Sequence, residues 1–123
     1  IRGFKKVNLI CQKKNNSLKN ISDMLDIPLE LNGKSIIVED DIIVGKHFLR
    51  FMNEGLNKFE FHPDVYSVNG YCHPIDHRIK GEYFFQRAMH GWSIGHWKKK
   101  YEITNNRFCR YVSPRFKLCS SYS

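Results

Sequence analysis

An α/β fold, with a mixed sheet flanked by helices, is what this sequence predicts, and three observations carry the prediction. Apolar runs without alternation at 7–11 and 35–38 read as short buried strands. The stretch 46–59 has the periodicity of an amphipathic helix. The two kinds of element alternate along the chain, which argues for a sheet layered with helices. A chain of 123 residues has the length of one domain, and 41% hydrophobic and 14% aromatic residues are enough for a core. An aromatic content of that size excludes disorder as the default. No apolar run approaches the ~18–20 residues that a membrane-spanning helix needs.

Taken in order, the run at 7–11 lies between Lys5-Lys6 and Lys13-Lys14 and is expected to be a strand. Asn15, Asn16 and Ser17 offer capping oxygens to a helix carrying Leu18, Ile21, Met24 and Leu25, which Pro28 is expected to end. Asn32-Gly33 signals a turn into the strand at 35–38, and Ile42, Ile43 and Val44 resume the apolar run. In the helix at 46–59, Phe48, Leu49, Met52, Leu56 and Phe59 share one face, and Gly55 is expected to permit a close contact. Pro63-Asp64 turns the chain into a strand at 65–68, ended by Asn69-Gly70. Residues 70–81 read as a loop, 83–85 as a strand, and 88–101 as a Gly-rich loop that becomes a helix near Ser93. From Thr104 onward there is little pattern, so 104–123 reads as a divergent basic tail behind a domain at 1–103.

Charge is distributed unevenly. Residues 1–77 carry ten basic and ten acidic side chains, whereas 78–123 carry ten basic and two acidic, Glu82 and Glu102, so the whole excess of +8 lies in the last third. An anionic partner (phosphate, nucleic acid or an acidic membrane surface) is one reading, and a solvated basic tail is the other. Cys11, Cys72, Cys109 and Cys119 form no C-x-x-C pair, and the six histidines show no H-E-x-x-H spacing. Free thiols, rather than a zinc site, are the expectation.

The tripeptide Glu39-Asp40-Asp41 is the most informative in the chain. Three adjacent carboxylates repel one another, and apolar runs bracket them. A neutral turn would suit the fold better, so a divalent cation is the natural reason for the triplet, with a solvated acidic turn as the alternative. Hard carboxylate oxygens suit Mg²⁺ or Mn²⁺, ions commonly shared between one or two carboxylates and a substrate phosphate. Ligands of open α/β sheets collect beyond the carboxyl ends of strands, where the triplet would lie.

The run Ser-Ile-Ile-Val-Glu-Asp-Asp-Ile-Ile-Val (35–44), followed by His-Phe-Leu-Arg-Phe-Met-Asn-Glu (47–54), resembles nucleotide-sugar glycosyltransferases of the GT-A fold. The nearer resemblance is to bacterial sugar transferases related to N-acetylglucosaminyltransferase I. Val-Tyr-Ser-Val-Asn-Gly-Tyr (65–71), Glu-Tyr-Phe-Phe-Gln-Arg-Ala (82–88), Gly-Trp (91–92) and Trp97-Lys98 follow in the family's order, so the likeness spans roughly 6–101. It implies a partial GT-A domain that transfers a sugar from a nucleotide sugar, such as a UDP-sugar, to a hydroxyl of a saccharide or lipid-linked acceptor. It further implies inversion at the transferred carbon and a cytoplasmic enzyme, and the basic last third suggests either an anionic acceptor or a position peripheral to an acidic membrane surface. By the same resemblance Asp41 would bind Mn²⁺ (or Mg²⁺), Glu39 and Asp40 would contact the ribose or the donor sugar, and Gly91 and Trp92 would shape the sugar or acceptor pocket, with ordinary core packing as the alternative for Trp92. Arg87 and Lys98–Lys100 would be available to phosphate, or would simply form a solvated face.

Two parts of the family pattern are missing. By this resemblance the chain is expected to start after most of the N-terminal half that holds the nucleotide base, and no Asp follows Asp76 to serve as the general base. The expectation is therefore a piece of a longer enzyme, weakly active alone, with no catalytic base assigned. Two rivals stand beside this reading. One is a basic module binding single-stranded nucleic acid, in which Tyr83, Phe84, Phe85, Trp92, Trp97 and Tyr101 stack bases, though the acidic triplet disfavours it. The other is an inactive glycosyltransferase-like interaction domain.

Overall fold

The computed structural model describes residues 3–14, 17–72, 83–87, 91–107 and 117–119. The described residues form a small mixed α/β protein with helices α1 (Ser17–Asn32), α2 (Phe48–Lys58) and α3 (Lys98–Arg107). The strands are β1 (Lys34–Ile37), β2 (Ser67–Asn69), β3 (Phe84–Gln86), β4 (Ile94–Trp97) and β5 (Lys117–Cys119). They join in the order β1-β4-β2-β5-β3, with β4 antiparallel to both β1 and β2. Strand β5 runs parallel to β2, and β3 returns antiparallel to β5.

Register decides which side chains meet α2. Ile36, Gly95 and Val68 lie in one row across β1, β4 and β2, and side chains of paired residues share a face. Val68 and Trp97 belong to the core with Phe51, Met52, Leu56, Phe59 and Val65, and Ile36 packs against it. At Gly95 a Cβ would stand 3.2 Å from Met52 Cε and 3.3 Å from both Leu56 methyls, so the missing side chain lets α2 lie close to the sheet. The Trp97 indole donates to Leu56 O at 2.8 Å, satisfying a carbonyl near the open end of the helix. Gly55, Phe51, Met52 and Leu56 form the buried stripe of α2; Met52 and Leu56 lie on the expected face, whereas Leu49, expected there, is exposed and Phe51 is buried instead.

The opposite face is buried as well, but it is polar in part. Ser35, His96 and Ser67 form the next row, followed by Ile37, Ile94 and Asn69, and all six are buried. Strand β1 therefore alternates between faces instead of being uniformly buried.

Several expectations are corrected. Residues 7–11 form no strand, and Leu9 and Ile10 are exposed. Helix α1 does not end at Pro28 but carries it inside. An interior proline costs about 3 kcal/mol. Burial of Leu29 just beyond it, worth ~1.5–3 kcal/mol, offsets that cost. The helix ends instead at Gly33, whose positive φ of 70° forms a left-handed cap with its N–H on Leu29 O at 2.8 Å. The apolar run at 42–44 forms no strand, and Ile43 is fully in solvent. The expected helix from Ser93 is strand β4, and helix begins only at Lys98. Helix α3 then continues through Arg107, across the 103/104 boundary, and β5 lies within the residues read as a tail. Cys109 and the residues of the 70–81 loop beyond Cys72 lie outside the described residues.

Lys100 joins α3 to the turn after α2. Its ammonium donates to Phe59 O at 2.8 Å, His62 O at 3.0 Å and Val65 O at 2.8 Å, and it lies 4.0 Å from the Trp97 ring centroid. Burial lowers its pKa below the ordinary 10.5, opposed by the nearby Glu60 carboxylate. Lys100→Met should keep the stem's packing but strip three carbonyls of their donor, costing about 1–2 kcal/mol in chemical denaturation. The lowered pKa means that the unfolded chain holds this proton to higher pH than the folded chain does. The wild-type advantage over Lys100→Met should therefore grow as pH rises towards 10.5. Gly95→Val is expected to push Met52 and Leu56 off the sheet, at a cost of ~1–3 kcal/mol read as a lowered denaturation midpoint.

Candidate functional site

Because β4 runs antiparallel to its two neighbours, it starts where they finish. Ile37 at the end of β1, Ile94 at the start of β4 and Asn69 at the end of β2 are paired in one row. Three connections therefore meet just beyond this row. They are the acidic turn after β1, the segment Gly70-Tyr71-Cys72 after β2, and Gly91-Trp92-Ser93 entering β4. Two strand spacings put the first two about 10 Å apart, with the Trp92 segment between them.

Glu39, Asp40 and Asp41 occupy an exposed turn in which Ile42 N–H donates to Glu39 O at 3.3 Å. The sequence expectation that the triplet lies beyond the carboxyl end of a strand matches this position. Among the described residues, no three or more His, Cys, Asp and Glu side chains are gathered as a metal-holding group. The donor chemistry suits a hard divalent ion held by one or two carboxylates, its shell completed by ligand phosphate and water. Helix α2 begins at the same edge, with Phe48 packed tightly over Gly70. Its first turn carries no acidic residue and His47 provides no side-chain cap, while Phe48 N–H donates to Gly45 O at 3.0 Å, so no carboxylate of that turn offsets the positive end of the helix dipole.

Trp92 is 51% exposed, and its ring meets Tyr71 edge-on, with centroids 4.8 Å apart and planes at 65°. Gly91 is exposed and nothing lies within 4 Å of where its Cβ would stand. Ser93, between Trp92 and β4, is buried and takes φ +54°, a left-handed conformation costing a non-glycine residue roughly 1 kcal/mol or more. Its carbonyl accepts from Gly70 N–H at 2.7 Å, which ties the two segments together. The structure thus brings Glu39, Asp40, Asp41, Gly91 and Trp92 to one edge.

It does not bring the lysines of α3 there. Lys98 pairs with Glu30 at 2.6 Å and Lys100 is held by three carbonyls, so neither is free for phosphate. The Glu30 hydrogen bond and charge raise the Lys98 pKa. Arg87 is exposed at the end of β3, on the far side of the sheet order from β1. Tyr71, Gly70 and Ser93 are the residues whose part in this edge the sequence reading missed. Asn69-Gly70 was legible as a strand end, but the role of Ser93 was hidden once 93–101 was read as helix.

A separate cleft of about 790 Å³ lies between residues 8–14 and α1, lined by Ile10, Cys11, Met24, Ile27 and Leu31 among others. It contains none of the residues expected at a site. Among the described residues, no helix is long and apolar enough to cross a membrane. No family model, curated protein or solved structure matches the chain.

Two substitutions test this geometry. Ser93→Gly should remove the backbone strain and raise thermal stability by about 1 kcal/mol. Gly70→Ala should displace Phe48 and lower stability by ~1–3 kcal/mol.

Proposed function

We propose that this chain carries the donor-handling part of a metal-dependent GT-A-type glycosyltransferase, which moves a sugar from a nucleotide sugar to an acceptor hydroxyl with inversion. The observation that carries the reading is the meeting of the acidic turn and the Gly91-Trp92 segment at one sheet edge. The resemblance implies one donor pocket for these residues, and their meeting arises from the antiparallel placement of β4. Asp41 is the residue that would hold Mn²⁺ (or Mg²⁺), with Glu39 and Asp40 turned to ribose or sugar hydroxyls as acceptors. A bound ion would supply positive charge to the departing diphosphate, which is worth most where charge develops in the transition state. The amino end of α2, with no carboxylate in its first turn, adds a positive field at the same edge. Trp92 offers an aromatic face to sugar C–H groups. No residue is assigned as general base.

The base-stacking alternative has less to draw on. Trp97 is 3% exposed with its N–H donated to the backbone, and Tyr83 stacks on Phe51 at 5.0 Å. Of the six aromatics that would stack bases, Trp97 is therefore committed to the interior and Tyr83 is half-buried against the core.

Calorimetric titration of the protein that carries this chain, with UDP and Mn²⁺, tests the proposal. Asp41→Ala should abolish the Mn²⁺-dependent part of binding while leaving the fold's denaturation midpoint in place, because the side chain is in solvent. Metal-dependent affinity unchanged by Asp41→Ala would remove the acidic turn from the mechanism.

A further inference from the structure

The geometry points to Tyr71 as a positioning residue that fixes Trp92 as a preset platform for the apolar face of a pyranose ring, with the left-handed Ser93 as its backbone support. The ligand named here rests on the glycosyltransferase reading; the positioning itself does not.

An exposed tryptophan at the end of a loop ordinarily samples several rotamers, and a ligand that stacks on it must pay for freezing one of them. Trp92 is restrained from two directions by the same short segment. Tyr71, half-buried after β2, packs edge-on against the indole at 4.8 Å, a favourable aromatic arrangement. One residue earlier, Gly70 N–H holds Ser93 O at 2.7 Å. Ser93 is 3% exposed and keeps φ +54°, a conformation that a serine adopts only where its surroundings impose it. Strain of this kind clusters where a side chain must be aimed. The aim here is outward, since half of Trp92 stays in water despite the contact with Tyr71. The neighbouring turn supplies three carboxylates that can accept hydroxyl hydrogens. A flat apolar face beside several acceptors is complementary to a sugar, whose ring presents C–H groups on its faces and hydroxyls at its rim.

Trp97 is buried, so quencher-accessible tryptophan fluorescence reports on Trp92, and Trp92→Phe should remove that component. Tyr71→Ala should increase acrylamide quenching and shift the emission to the red, whereas Tyr71→Phe, which keeps the ring, should behave as wild type. Quenching of Tyr71→Ala equal to wild type overturns the positioning role. With Mn²⁺ present, Tyr71→Ala should weaken UDP-N-acetylglucosamine roughly 3- to 10-fold, leave UDP unchanged, and be rescued by Tyr71→Phe. An equal loss for UDP and the sugar nucleotide, or no loss for either, overturns the sugar platform. Failure of the protein that carries this chain to bind UDP with Mn²⁺ would instead defeat the glycosyltransferase reading and the sugar assignment with it, while the quenching comparison on the chain itself would still decide whether Tyr71 positions Trp92.

Discussion

Where α2 crosses β4, the sheet presents Gly95, and the tips of Met52 and Leu56 fill the space a side chain would take. That close approach sets the distance between helix and sheet for everything around it. Two residues along β4, Trp97 can reach Leu56 O because the helix lies low, and the indole then closes the core over Val65 and Val68. Lys100, in the first turn of α3, gathers the carbonyls of the 59–65 turn, so the same junction fixes the exit of α2. A bulkier residue at position 95 would act on all of these together, since cores respond to volume changes as small as a methylene.

The direction of β4 then determines the site. Antiparallel pairing on both sides places its first residue against the last residues of β1 and β2, so the acidic turn and the Gly-Trp segment become neighbours although some fifty residues separate them in sequence. The edge combines a rigid part with an open one. Gly70, Ser93 and Asn69 are bound into the end of the sheet, while Glu39, Asp40, Asp41 and Trp92 stand in solvent above them. Exposed carboxylates and an exposed aromatic face on a fixed base are what the proposed donor, with its phosphates, metal ion and sugar, would require.

Much of this was legible because it rests on local pattern. Helix α2 is amphipathic over its full length and appears within two residues of its expected bounds. The triplet after an apolar run was legible as a turn beyond a strand because three carboxylates are too costly to bury. Strand β4 was not legible: Ile-Gly-His-Trp shows no alternation, and its burial on both faces comes only from pairing with β1 and β2 and from α2 above Gly95. Pro28 misled for a related reason, since the burial of Leu29 and the Gly33 cap lie beyond the proline and outweigh the local rule. The run at 7–11 has the composition of a strand, but no neighbour within the described residues pairs with it. The Tyr71–Trp92 contact joins segments twenty-one residues apart and depends on the register of β2 and β4, which no local pattern encodes.

Paramagnetic broadening of backbone amide signals by Mn²⁺ in the presence of UDP tests the central claim most directly, because it reports both metal binding and spatial convergence. The account predicts broadening centred on residues 39–41 that extends to Gly70, Tyr71 and residues 91–93 while α1 stays sharp. Broadening centred elsewhere, or confined to the acidic turn with the Trp92 segment unaffected, would contradict it.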